Sequence, residues 1–165
     1  FEGFVKIVDL LGGIDINASI AMEDRCDLNA TGWCRVEPGI THMDGQTALW
    51  YARARYATSD FDRTRRAQEV IKALAQKSIS LNTLIKSGKL FDTFGEYVDT
   101  NVTTGDLLPF ITKIGSLTSE DAITSYYITE NEAYSYFTEA GANVLVPDLD
   151  AIRLILDKVL FITTP

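Results

Sequence analysis

Five arginines (Arg53, Arg55, Arg63, Arg65 and Arg66) and no lysine stand between Tyr51 and Gln68 of an otherwise acidic chain. With Asp60 and Asp62 counted against them, those positions sum to +3, so the formal −8 of the whole chain leaves −11 for the remainder. Such a cluster restricts the fold, because guanidinium groups so close in sequence must be paired with carboxylates, exposed on a helix face, or turned toward an anion. The choice of arginine over lysine matters too: a planar guanidinium offers paired donors that match carboxylate or phosphate oxygens, whereas an ammonium is a hydrated point charge.

An extended reading of residues 51 to 56 puts Tyr51, Arg53 and Arg55 on one side and Ala52, Ala54 and Tyr56 on the other. After a polar link, Ala57 to Ser59, the run DFDRTRRAQEVIKALAQKSI predicts a helix with acidic residues at its start, where they complement the helix dipole. Its apolar stripe is expected along Ala67, Val70, Ile71 and Leu74, with Arg63 at the open end of the stripe. Arg65 falls on the side of Glu69 and Lys72, the solvated side. Arg66 falls between, paired with Asp62 four residues earlier. Arg53, Arg55 and Arg63 converging beside Asp60 fit a phosphate site better than structural pairing alone. In phosphoryl transfer the protein mainly positions groups and stabilises charge on the phosphoryl oxygens, which is work for cationic donors. Asp60 has three compatible readings: accepting the proton of an attacking sugar hydroxyl, helping to hold a metal, and accepting from backbone N–H groups at the helix start.

A length of 165 residues suits one domain with a sizeable core, and 46% hydrophobic with 23% charged residues is ordinary for a globular protein. No apolar run reaches the roughly 18 residues that a membrane span needs. The acidic balance argues against nucleic acid as the main partner, since duplex binding depends on a broad basic face. Cys26 and Cys34 lie in a turn-like stretch, DRCDLNATGWCRVEPG, which favours a disulfide closing a small loop in an oxidising compartment. Two unpaired thiols are the alternative. Metal binding there is weaker still, because His42 is the one histidine of the chain.

In chain order, residues 3 to 11 predict a helix that Gly12-Gly13 stops, and Ile14, Ile16, Ala18 and Ile20 alternate as a strand with one buried face. Residues 21 to 43 read as a long loop. A helix opens at Asp44, with Leu49 and Trp50 as core and pocket wall. Helical spacing recurs through Leu81, Leu84 and Ile85, and again through Leu90, Phe91 and Phe94, with a break near Gly88. Thr103 or Thr104 caps DLLPFITKIGSL, where Pro109 is tolerated early in the helix. AITSYYIT (122 to 129) reads as a strand. A hairpin then turns near Ala140-Gly141, and a last amphipathic helix opens at Asp148 or Asp150 and runs through Val159. Helices interleaved with strands give the α/β class.

DGQTALWYARARYATSDFDRTRRAQEVIKAL resembles the signature of the LytR-CpsA-Psr family of bacterial cell-envelope proteins, DGxxALxYxRxR, a short spacer, DxDRxxRQQ and an apolar helix. The match falls on Asp44, Gly45, Ala48, Leu49, Tyr51, Arg53, Arg55, Asp60, Asp62, Arg63, Arg66 and Gln68, while Ala67 occupies the first place of the family's Gln-Gln pair. The opening GFVKIVDLLGG resembles a segment from the middle of the family's domain, so residues 1 to 165 are expected to form a single domain, the C-terminal portion of the family's. The resemblance implies a central mixed β-sheet flanked by helices, its N-terminal strands lying upstream. It also implies an upstream arginine and upstream aspartates that hold a divalent metal, Mg2+. The implied activity is a phosphotransferase moving an anionic glycopolymer from a polyprenyl pyrophosphate carrier to a hydroxyl of peptidoglycan. That places the protein outside the cell, at the outer face of the cytoplasmic membrane, held by an anchor beyond this chain. Asp60 and Arg63 are then the catalytic pair, and Arg53, Arg55, Arg63, Arg66 and Gln68 bind the donor; the apolar spacing of the later helices fits either a groove for its lipid tail or ordinary core packing. The alternative is a module that binds polyprenyl phosphate or glycopolymer without turnover. Proteins of this kind have also been described as transcriptional attenuators, and no helix-turn-helix pattern is present.

Overall fold

Two glycines in the left-handed region, Gly12 (φ 75°) and Gly13 (φ 84°), end α1 (Glu2–Leu10) and turn the chain into β1 (Ile14–Ala18). A side chain at Gly13 would meet the His42 ring at 2.4 Å and the Met43 carbonyl at 2.9 Å, so only glycine lets the turn lie this close to the neighbouring strand. In the computed structural model, residues 1–55, 59–80, 88–103, 106 and 124–160 are described, and they fall into two units, Phe1–Thr124 and Ser125–Pro165.

In β1 the expected alternation holds: Ile14, Ile16 and Ala18 are buried, while Asp15 and Asn17 face out. The long loop expected over 21 to 43 is instead three short strands, β2 (Met22–Arg25), β3 (Trp33–Val36) and β4 (Gly39–Met43). β4 pairs antiparallel with β1, Ile14 opposite Met43 and Ala18 opposite Gly39. β2 pairs antiparallel with β3, Met22 opposite Val36 and Arg25 opposite Trp33, which nests one hairpin inside the other. The physical reason for the misreading is Asp24, a carboxylate buried beside Met22, which makes the strand MEDR look like surface loop.

The Cys26–Cys34 disulfide forms, with a Cα–Cα distance of 5.7 Å, and closes the tip of this inner hairpin. Replacing both cysteines with serine is expected to lower unfolding free energy by about 2.5 kcal/mol, the chain-entropy value for so short a loop. Urea denaturation of the double variant against the parent checks this.

Asp44 opens α2 (Gly45–Arg53), as expected, its Oδ1 accepting from the Thr47 N–H at 2.8 Å. That backbone hydrogen bond holds the Asp44 carboxyl below its usual range. Asp9 reaches across from α1 to accept from the Gly45 N–H at 2.7 Å. A Cβ at Gly45 would lie 2.4 Å from the Val5 carbonyl, which explains why glycine follows the capping aspartate where α2 crosses α1.

Two further helices, α3 (Asp60–Ser80) and α4 (Gly88–Tyr97), follow in the first unit. Val8, Ile14, Ile16, Met22, Val36, Met43, Ala48, Tyr51, Val70 and Ala73 form its core. α4 lies against α1, with Lys6 donating to the Tyr97 hydroxyl. In the second unit, β5 (Ala133–Phe137) and β6 (Asn143–Pro147) make the expected hairpin, turning through Gly141 at φ 78°. Then α5 (Leu149–Val159) is capped by Asp148, whose Oδ1 accepts from the Asp150 and Ala151 N–H groups. Residues 124–129 form no strand among the described residues. Their β-branched and aromatic pattern records a preference for a pleated, packed surface, and a strand also needs a partner. The start of that stretch lies outside the described residues, as do Tyr56, Leu81, Leu84, Ile85, Pro109, the side chains of Leu90, Phe91 and Phe94, and most of DLLPFITKIGSL, where a lipid groove or core packing was expected.

The class is α/β, as expected, and every pairing among the described strands is antiparallel, in three two-stranded sheets. No described helix is long and apolar enough to cross a membrane.

Candidate functional site

The start of α3 is built by a reciprocal cap. Ser59 donates through its N–H and its hydroxyl to Asp62 Oδ2 (3.3 and 3.1 Å), and the Asp62 N–H donates back to the Ser59 Oγ at 3.2 Å. This fixes the first turn that carries Asp60 and Arg63. Arg63 Nη2 lies 3.3 Å from Asp60 Oδ1, and Arg55 Nη2, arriving from just beyond α2, lies 3.5 Å from the same oxygen. The Asp60, Arg55 and Arg63 side chains are 58%, 65% and 36% exposed. Ion pairs this exposed contribute at most about 1 kcal/mol to stability. Fold stability therefore does not account for two guanidinium groups meeting on one carboxylate, and both have donors that an external anion can take.

Arg53 ends α2, its guanidinium 4.2 Å from the centre of the Phe1 ring. The extended run expected over 51 to 56 does not form: Tyr51 and Arg53 belong to the last turn of the helix, and Ala54 (φ −53°, ψ 136°) leads the chain out. Helical rather than two-residue spacing sends Tyr51 into the core and leaves Arg53 exposed.

Arg65 and Arg66 are where the sequence reading needs correction. Arg65, expected to be solvated, is buried: Nη2 pairs with Asp62 Oδ1 at 3.1 Å, and Nη1 donates to Glu69 Oε1 at 2.8 Å and to the Ser19 hydroxyl. The Asp62 pairing assigned to Arg66 thus belongs to Arg65. Burial raises the Asp62 pKa, but the hydrogen bonds from Arg65 and Ser59 outweigh it and hold the carboxyl below its usual range. Arg66 is 1% exposed; its Nη2 donates to the Ala54 carbonyl and its Nη1 lies 2.8 Å from Met22 Sδ, with Tyr51 beneath it. Burial pulls the Arg66 pKa down, while the phenol of Tyr51 and the carboxylates of Asp62 and Asp24 act to keep the charge. Arg66 therefore sits inside the fold, apart from the surface pair Arg55 and Arg63, and Gln68 is half-buried.

The inward face of α3 is accordingly Arg66, Val70 and Ala73 with Leu74 packed beside them, so Val70 and Leu74 of the predicted stripe hold while Ile71 is 66% exposed. Glu69, placed on the solvent side by sequence reasoning, is instead a hub: Oε2 accepts from the Tyr51 hydroxyl at 2.6 Å and Oε1 from the Ser19 hydroxyl at 2.6 Å. Burial first, then the hydrogen bond to Glu69, pushes the Tyr51 phenol well above its ordinary range. The available signal for this hub was the spacing of Asp62, Arg65 and Glu69, three and four residues apart, which puts them on one helix face. Among the described residues no three His, Cys, Asp or Glu side chains gather to hold a metal.

The candidate site is thus two arginines and a carboxylate displayed on an α/β fold where one helix ends and the next begins. The chain belongs to the LytR_cpsA_psr family, whose model matches residues 1–153. Among its relatives is the polyisoprenyl-teichoic acid–peptidoglycan teichoic acid transferase TagV of Bacillus subtilis (strain 168), 26% identical over 165 residues, covering 96% of this chain and 41% of that protein. The corresponding transferase TagT of the same organism is 32% identical over 123 residues, covering 72% of this chain and 38% of TagT. The fold is shared with a solved structure of TagT bound to LIIa-WTA (TM-score 0.64, 24% identity, 98% of this chain and 59% of that one). The chain thus spans about two fifths of the length of these two curated relatives.

Proposed function

We propose that the protein transfers an anionic glycopolymer from a polyprenyl pyrophosphate carrier to a hydroxyl of peptidoglycan, on the outer face of the cytoplasmic membrane and held there by an anchor outside this chain. The observation that carries this reading is the exposed Asp60 carboxylate set between Arg55 and Arg63 in a chain of this family. The diphosphate exchanges with Asp60 for the donors of Arg55 and Arg63, and Arg53, at the end of the same α2, extends the cationic surface toward the rest of the donor. Charge that builds on the phosphoryl oxygens during transfer is met by guanidinium groups already in place. Asp60, released from the arginines, accepts the proton of the attacking hydroxyl as the hydroxyl oxygen bonds to the polymer-side phosphorus, the P–O–P bridge breaks and polyprenyl phosphate leaves. Gln68 is the candidate amide donor to the same ligand, and Arg66 supports it from inside by holding α3 to the end of α2.

Mg2+ takes one or two carboxylates together with water and substrate phosphates. Among the described residues no such set of carboxylates gathers at Asp60, so the ion would rest on ligands outside them, with Asp60 left free as the base. When bound, the ion neutralises part of the diphosphate charge.

Arg55→Ala and Arg63→Ala are each expected to weaken binding of a polyprenyl pyrophosphate by about 1.5 to 3 kcal/mol, the range for a lost charge-assisted hydrogen bond. Titration calorimetry on the full-length protein measures this. Unchanged affinity in both variants removes the diphosphate from this site, whereas tight binding without turnover in the parent leaves a binding module.

A further inference from the structure

The chemistry proposed above makes no use of the half-buried network around Glu69, in which Tyr51 and Arg65 are buried while Ser19 and Ser59 are exposed. Its two carboxylate oxygens gather three elements: Oε2 accepts from Tyr51 in the last turn of α2 (2.6 Å), and Oε1 accepts from Arg65 on α3 (2.8 Å) and from the hydroxyl and N–H of Ser19 just past β1 (2.6 and 3.4 Å). The other arm of Arg65 continues to Asp62, which caps α3 through Ser59. One continuous chain of hydrogen bonds, Tyr51–Glu69–Arg65–Asp62–Ser59, thus joins the end of α2 to the start of α3. Its two ends lie beside the candidate site. Tyr51 precedes Arg53 and Arg55 by two and four residues, and Asp62 sits between Asp60 and Arg63.

We propose that Glu69 is a positioning residue, acting through Tyr51 and Arg65 to hold the arginines of the α2 end in register with Asp60 and Arg63, a role that rests on the transferase reading above. Ion pairs and hydrogen bonds at a half-buried position like this add little to net stability, because desolvation and ordering offset much of the attraction. Directed hydrogen bonds add a fixed separation between the elements they join. Phosphoryl transfer is sensitive to that separation, because the arginines must hold the diphosphate while the Asp60 carboxylate reaches the hydroxyl that attacks it. The Tyr51 hydroxyl is the most economical handle on the network, since its ring fills the core whether or not the hydroxyl is present.

The test is steady-state kinetics of the full-length protein with a polyprenyl pyrophosphate-linked glycopolymer as donor, on Glu69→Gln, Tyr51→Phe and the double variant, with Val8→Ala as a control for stability loss in the core away from the arginines. Glu69→Gln is expected to lower kcat about tenfold, part of the hundredfold loss typical of a misplaced reacting group, with KM changed less than about twofold. Tyr51→Phe shifts kcat in the same direction by less, and the double variant is no worse than Glu69→Gln alone, because both cut the same link. Val8→Ala, compared at equal loss of Tm, keeps its kcat. Parental kinetics in Glu69→Gln and Tyr51→Phe overturn the positioning role, and so does a kcat loss that Val8→Ala reproduces. A parent protein that binds no donor and transfers nothing overturns the transferase reading itself, and the positioning role falls with it.

Discussion

Arg66→Ala is expected to lower unfolding free energy by about 3 kcal/mol, several times the effect of Arg63→Ala, although both remove a guanidinium from the same helix. Arg66 is the largest fully buried side chain described, and one donor is committed to the Ala54 carbonyl where α2 ends. Truncation leaves that carbonyl without its donor, at about 1 to 3 kcal/mol for an unsatisfied buried group, and opens a cavity against Met22 and Tyr51. Arg66→Lys should recover only part of the loss, because an ammonium cannot address the carbonyl and the thioether together with the geometry of a planar fork. Arg63, at 36% exposure and paired with an exposed Asp60, should cost less than about 1 kcal/mol. Urea denaturation of the three variants decides the matter, and an Arg66→Ala loss no greater than that of Arg63→Ala would show that burial of Arg66 carries no structural weight.

The contrast between those two arginines also shows which features a sequence can reveal. Local rules read well. Gly12-Gly13 stops a helix because of its backbone freedom, Ile14, Ile16 and Ala18 alternate because a strand has period two, and Asp44 and Asp148 cap helices through their own neighbours. Asp60 and Arg63, three residues apart on one helix, were legible for the same reason. What failed depends on groups distant in sequence. Arg65 and Arg66 look like surface cations until Ser19, Met22 and Ala54 are brought to them by the nested hairpins and the end of α2. The buried Asp24 hid β2, and on α3 the stripe holds at Val70 and Leu74 but not at Ile71, whose place in the core is taken by Arg66 and Ala73. The partner of Arg53, the ring of Phe1, lies at the other end of a helix pair and left no trace in the spacing.

For Asp60 the expected result separates binding from chemistry. Asp60→Asn should reduce turnover by about 10²- to 10⁴-fold, the range for loss of a general base, while the donor binds as well as before or better. The sign of the binding change follows from the geometry: the Asp60 carboxylate occupies the Arg55 and Arg63 donors from 3.5 and 3.3 Å and so competes with any incoming diphosphate. A neutral amide of the same size relinquishes those donors and removes one negative charge from the path of a negatively charged ligand. The variant should therefore hold its donor in an unproductive complex, visible as undiminished affinity by calorimetry alongside collapsed transfer in a single-turnover assay. Weakened binding together with weakened transfer would instead assign Asp60 to holding the ligand or its metal ion. Full turnover in Asp60→Asn would leave Arg55 and Arg63 as a clamp for the diphosphate, with the proton accepted by a group beyond this pair.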